Sequence, residues 1–303
     1  MKTKFILSAT VALLALAGLG GPATPTARAA EASAADPEPP PPRRIPMNPS
    51  NPVEIQYKVG FHDMDVPEAN SHTSGVNLSA SLSGTLFSGT HIVLEGDMFL
   101  DFDHDHLDPH HTPLWLQLHF GLTGPIAQST TPDLWYFSWV GDVNSRSNTV
   151  SCIERDLKII PGVALGGKLG ILAVEARLGY GYYALTIDDD VPRERGYDRD
   201  DLINRTWALA PSLEATLSLT PHFKVLGRAQ EWHDGSTWLE TKYHAGLDWD
   251  LSRFIPHADL EFSVEVTEYN ISMYHPTGSP PGYLPILPWN DDRLIMFTFD
   301  KWW

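Results

Sequence analysis

The run Asp101-Phe102-Asp103-His104-Asp105-His106-Leu107-Asp108-Pro109-His110-His111 gathers carboxylates and imidazoles in one short segment. Such oxygen and nitrogen donors suit zinc, nickel or copper, and His104, His106, His110 and His111 are its candidate metal ligands. The spacing matches no specific metal-site signature, so a solvated polar loop is the simpler expectation. A second grouping, His72-Thr73-Ser74, puts a base two residues from a hydroxyl, with Asp63 a few residues upstream. A base oriented by a carboxylate and next to a hydroxyl can activate that hydroxyl for acyl transfer. The lone cysteine, Cys152, has no histidine near it in sequence to activate it and is read as incidental. No Gly-rich phosphate loop or nucleotide fingerprint occurs, and no cofactor is expected.

The elements that must carry these groups are strands. From Leu260 through Phe262, Val264 and Val266, apolar residues point one way while Asp259, Glu261, Ser263, Glu265 and Thr267 point the other. A strand alternates faces with a period of two, so one face is made for hydrocarbon and the other for water or buried ion pairs. The same reading places strands near 53–63, 74–83, 90–103, 113–122, 133–143, 156–166, 170–187, 205–218, 222–232, 237–249, 258–272 and 292–303. Outward faces would carry Val53 to Phe61 at odd positions, Leu94 and Met98, Leu178 and Tyr180, and Leu239, Tyr243, Leu247 and Trp249. Inward faces would carry the acids Glu54, Glu95, Asp97, Glu175, Glu214, Glu240, Asp248, Asp259, Glu261 and Glu265. The bases Lys58, Lys158, Arg177, Lys224, Arg228 and Lys242 share that face. Gly179 and Gly181 read as thin spots where a strand bends or an inner side chain crosses. Trp135, Trp139, Trp207, Trp232, Trp238, Trp249 and Trp303 fall near strand ends, where a ring half in lipid and half in water is favoured.

Lys2 and Lys4, the apolar run Phe5 to Leu19 and the Ala27-Arg28-Ala29 site have the layout of a secretory signal peptide over residues 1–30. Residues 31–52, with the Pro39 to Pro42 run, read as a Pro-rich periplasmic tether, and 53–303 as one β domain. A single cysteine excludes an intramolecular disulfide, so stability must come from a closed sheet or a large core. The net charge of −17 becomes three units more negative once the leader's Lys2, Lys4 and Arg28 are removed, which excludes nucleic acid as a partner.

The leader, the alternation, polar connectors that are mostly long on one side, and the closing run Arg293 to Trp303 together resemble a bacterial outer-membrane β-barrel. The resemblance implies a closed antiparallel barrel of about twelve strands in a Gram-negative outer membrane. It also implies partners: outer-membrane lipid and lipopolysaccharide, and the barrel-assembly machinery, which reads a last strand ending on an aromatic residue such as Trp303. Lys301 departs from that pattern. For function, the inward charges fit a channel for passive, weakly selective passage of a small hydrophilic solute. The acidic ladder Asp259, Glu261 and Glu265 would favour cations if the lumen is open, while paired charges bridging it would plug it. Outer-membrane phospholipases and lipid A deacylases also resemble this architecture, which offers Ser74, His72 and Asp63 as a lipid-facing hydrolase set. Gly75-Val76 stands where those families carry Asn-Gly or Asn-Ala. The third reading is a non-conducting scaffold or adhesin.

Overall fold

A computed structural model describes residues 53–66, 71–86, 89–102, 113–131, 134–147, 153–187, 203–270 and 291–302. The leader, the tether, His104, His106, His110, His111, Cys152 and Trp303 lie outside the described residues. Twelve strands follow one another: β1 (Val53–Val66), β2 (Ser71–Thr85), β3 (His91–Asp101), β4 (Leu114–Gln128), β5 (Tyr136–Ser147) and β6 (Ile153–Leu169). They continue as β7 (Leu172–Ile187), β8 (Ile203–Thr220), β9 (Phe223–Asp234), β10 (Thr237–Asp250), β11 (Ala258–Tyr269) and β12 (Asp291–Trp302). Each pairs antiparallel with its sequence neighbours, and β1 pairs with β12, from Gln56 opposite Trp302 to Asp65 opposite Arg293, so the sheet closes and no edge remains. This is the architecture of bacterial outer-membrane proteins, in which every backbone group at membrane depth bonds to a neighbouring strand.

Two hairpins are as short as chemistry allows. Gly170-Ile171 and Gly235-Ser236 turn the chain with φ of 61° and 58° at the glycines, a left-handed conformation that costs a glycine nothing. The strand ends Ile187, Ile203, Tyr269 and Asp291 lie at the opposite rim from Gly170, so the two longest connections leave from one rim, which also holds the tight Gly235-Ser236 turn, while the described start and end of the barrel lie at the other. The turn expected over 123–132 is shorter, running from Ser129 to Trp135. Pro125 to Gln128 stay in the ladder because a bulge between Pro125 and Ala127 absorbs the proline that cannot donate.

The alternation becomes two surfaces. Val53, Ile55, Tyr57, Val59 and Phe61 are between 40% and 63% exposed and face outward, while His62 and Met64 on the other parity are buried. Trp135, Trp139, Trp207 and Trp249 are exposed on the outer surface, as expected of aromatic girdles. Two assignments are corrected. Trp232 lies inside, buried against Tyr183 with ring centroids 5.2 Å apart. Leu239, expected to face lipid, is buried because the β9–β10 register shifts between Trp238 and Glu240 and the bulged residue leaves the outer row.

The inner wall is crowded where glycines let it be. A Cβ at Gly181 would collide with the Ile159 carbonyl oxygen, and one at Gly179 would strike the Ile160 side chain that crosses it. Gly181→Val therefore lowers the yield of folded barrel well below wild type, whereas Leu178→Val on the lipid face leaves it unchanged. Heat-modifiable gel mobility of refolded protein reads the difference.

Candidate functional site

The site is the lumen, built by the inward residue of every second position on all strands. Its central cavity measures about 320 Å³ and is lined by charged, amide and hydroxyl side chains from most of the ring, including Asn77, Gln117, Asn144, Gln230 and Ser263. Of the expected lining residues, Lys58, Glu95, Asp97, Arg228, Lys242, Glu261 and Glu265 border this cavity. Glu175, Arg177, Lys224 and Asp259 share their inward parity nearer the short-turn rim.

Most of these charges are engaged. Lys58 reaches along the wall in both directions, to Glu95 on β3 at 3.3 Å and to Glu261 on β11 at 3.9 Å. Lys242 holds Glu265 at 2.6 Å, and Lys224 faces its register partner Asp248 at 4.0 Å. Arg177 donates to Glu175 at 2.7 Å and to Asp142 at 3.3 Å, while the Tyr136 hydroxyl donates to Glu175 and His119 sits 3.2 Å from Asp142. Asp259 lies in register with Asp300, and Gln56 donates to Asp300 at 3.2 Å. The ladder of acids beside the last strand is thus partly neutralised by bases on neighbouring strands.

Toward the long-loop rim the pairs cross the bore. Arg146 on β5 donates to the Tyr269 hydroxyl on β11 and to Asp292 on β12 at 3.1 Å, and the Tyr269 hydroxyl donates to Asp292 at 3.0 Å. Strands β5 and β11 are six places apart in either direction round the ring. A round ring of twelve strands spaced about 4.8 Å apart and tilted about 40° would be roughly 24 Å across its backbone. An arginine and a tyrosine laid end to end cannot span that, so the barrel is pinched along the β5–β11 axis. A second bar runs from Lys158 on β6 to Glu240 on β10 at 2.6 Å, with Asp156 at 3.4 Å from the ammonium and the Tyr183 hydroxyl donating to Glu240 at 3.0 Å.

Two aromatic clusters close the spaces beside these bars. Phe99 and Trp115 stack with centroids 3.7 Å apart over buried Met64 and Leu294, and His62 meets Asp101 at 2.7 Å at their edge. Tyr183 and Trp232 form the other. Asp101, the first residue of the His/Asp run, is therefore spent on His62 and on the Trp115 indole N–H at 3.4 Å.

Sequence reading missed the pivotal residues here. Arg146 was assigned to a connector starting at 144, yet β5 runs on to Ser147 and Arg146 shares inward parity with Asp142 and Asn144, a signal present in the sequence. Tyr269 and Asp292 were not singled out at all. On the lipid face, His72, Ser74 and Asp63 do come close, but the register sets Asp63 opposite Ser74 and Asp65 opposite His72. None of the three side chains makes a hydrogen bond among the described residues. No grouping of three or more metal-binding side chains occurs among the described residues.

No family model matches the chain, and no curated protein matches it. Among solved structures it is similar to the NanC porin, at 11% identity over 82% of this chain and 98% of that one with a TM-score of 0.45. It is similar to the KdgM porin in complex with disordered oligogalacturonate, at 8% identity over 82% and 98% with a TM-score of 0.44. It is likewise similar to outer membrane phospholipase A from Escherichia coli, at 13% identity over 80% and 91% with a TM-score of 0.40.

The transverse bar yields a stability test. Arg146→Met removes the cation that faces buried Asp292 and costs about 3–5 kcal/mol, because a buried charge loses its opposite charge. Adding Asp292→Asn recovers a large part of that loss. Guanidinium denaturation midpoints of the refolded barrel in detergent micelles measure both.

Proposed function

We propose that this protein is an outer-membrane channel for small hydrophilic solutes, narrowed by the two transverse ion-pair bars and preferring cations. The observation that carries this reading is the charged, amide-lined cavity of about 320 Å³ inside a barrel whose outer wall is apolar. A scaffold needs no such lining, since apolar packing fills a lumen at lower desolvation cost. Fixed charges along a narrow path replace part of a solute's hydration shell and set its sign. Inward acids outnumber inward bases, and Asp97 and Glu214, both at the cavity wall, have no basic group within ion-pair distance among the described residues. The pinch limits passage to small solutes and makes the Arg146 and Lys158 bars the point of highest resistance. Export through residues 1–30, with 31–52 as a tether, belongs to the same proposal, as does the absence of any cofactor from passive passage.

Single-channel recording of the refolded mature chain in a planar bilayer under a salt gradient tests this. Small, steady steps with a reversal potential of the cation-selective sign are expected. Asp97→Asn with Glu214→Gln lowers the cation preference several-fold. Lys158→Ala raises the conductance several-fold by removing a cross-bar while leaving the closed ladder intact. Silence from folded wild type and folded Lys158→Ala alike overturns the channel. Ester hydrolysis by the same preparation, abolished in Ser74→Ala, would replace it with the lipid-hydrolase reading.

A further inference from the structure

The outward face near the long-loop rim is divided by charge. Over β11, β12 and β1 it presents Glu268, Asp291, Asp65 and Asp63, and Arg293 there is tied to Asp291 at 3.2 Å. Over β6, β7 and β8 it presents Arg155 and Arg205. Register places these two diagonally across β7: Leu157, Ala184 and Arg205 form one row, and Arg155, Thr186 and Ile203 the next toward the rim. Two strand spacings across and two residues along, roughly 12 Å in all, separate their backbones, and the small side chains of Ala184 and Thr186 stand between them.

The surroundings match a lipid. One row toward the membrane centre, Tyr182 pairs with Trp207, whose ring is 6.0 Å from Tyr182 and 6.1 Å from Tyr180, and Ile159 continues the apolar surface on β6. That shelf sits where headgroups begin, since aromatic rings mark the interface. Arg205 makes no side-chain hydrogen bond or ion pair among the described residues. Arg155 is 65% exposed and touches only Glu154 at 3.1 Å, leaving other guanidinium donors to turn outward. A guanidinium fork is matched to phosphate oxygens and accepts them in pairs of hydrogen bonds.

We infer that Arg155 and Arg205 form a binding site for the phosphate of an outer-leaflet lipid, lipopolysaccharide in a Gram-negative membrane. Its acyl chains run down Leu157, Ile159 and the Tyr180, Tyr182 and Trp207 shelf. The site is independent of the lumen and of whether the barrel conducts. The acidic half of the rim repels the same phosphates, so the lipid is held on one side of the barrel.

The test titrates refolded full-length barrel in detergent micelles with diphosphorylated lipid A and counts bound lipid by native mass spectrometry. Wild type retains one lipid A tightly, and Arg155→Gln with Arg205→Gln weakens it at least tenfold while gel mobility shows the variant folded. Arg293→Gln, on the acidic side, leaves binding unchanged, and dephosphorylated lipid A binds wild type no better than it binds the double variant. Equal retention by wild type and the folded double variant overturns the site. Displacement of lipid A by inorganic phosphate at equal concentration overturns its assignment to a lipid, because the aromatic shelf would then contribute nothing.

Discussion

A guanidinium carried into the interior of a barrel has to be met by acceptors, and the two to which a terminal nitrogen of Arg146 donates stand across the bore. That requirement organises much of what surrounds it. Tyr269 and Asp292 meet it from β11 and β12, and each is in turn bonded to the other. Bringing the two walls within reach flattens the section, and flattening brings Lys158 on β6 within reach of Glu240 on β10. Space left beside the bars is too narrow for bulk water and is filled by Phe99 and Trp115 on one flank and Tyr183 and Trp232 on the other. Below them the ring is relieved of the cross-wall pairs, and the charged cavity opens.

The same strands answer to a second solvent on their other face. Away from the bulges, each lumen residue from Lys58 to Asp300 alternates with one on the outer face, so a shift of one position would exchange hydrocarbon for charge along a whole strand. Closure between β1 and β12 makes such a slip costly, because register is then fixed all the way round. The register shifts at Pro125/Ala127, Ile153/Arg155, Ser218/Thr220 and Trp238/Glu240 are the places where the ladder spends a residue to keep both faces correct on either side.

Period-two alternation carried most of the architecture, and it is local. Any strand whose outer face is lipid declares itself within its own residues, which is why β1, β3, β7 and β11 could be placed and faced directly. The transverse contacts are not local: Arg146 and Tyr269 are 123 residues apart and Arg146 and Asp292 are 146 apart, and no pattern within a strand ties them. Parity alone could have turned Arg146 inward, but its partner depends on which strands face each other across a closed ring. Trp232 and Leu239 were misread for separate reasons. Trp232 shares the inward parity of Lys224 and Arg228, a signal its aromatic ring near a strand end outweighed, whereas Leu239 is turned inward by the bulge beside it.

The long sequence separation of the transverse bar bears on how the chain reaches the membrane. Arg146 belongs to the first half of the sheet, and its acceptors arrive with β11 and β12, so the bar cannot exist until the final strands have docked. Without them the carboxylate that the sheet itself sets beside Arg146 is Asp156, its register partner on β6. Docking of the last hairpin brings Asp292 to Arg146 and closes the β1–β12 seam. The transverse bar and the β1–β12 seam thus share β12, which carries Asp292 on its lumen side and the register with β1 along its length.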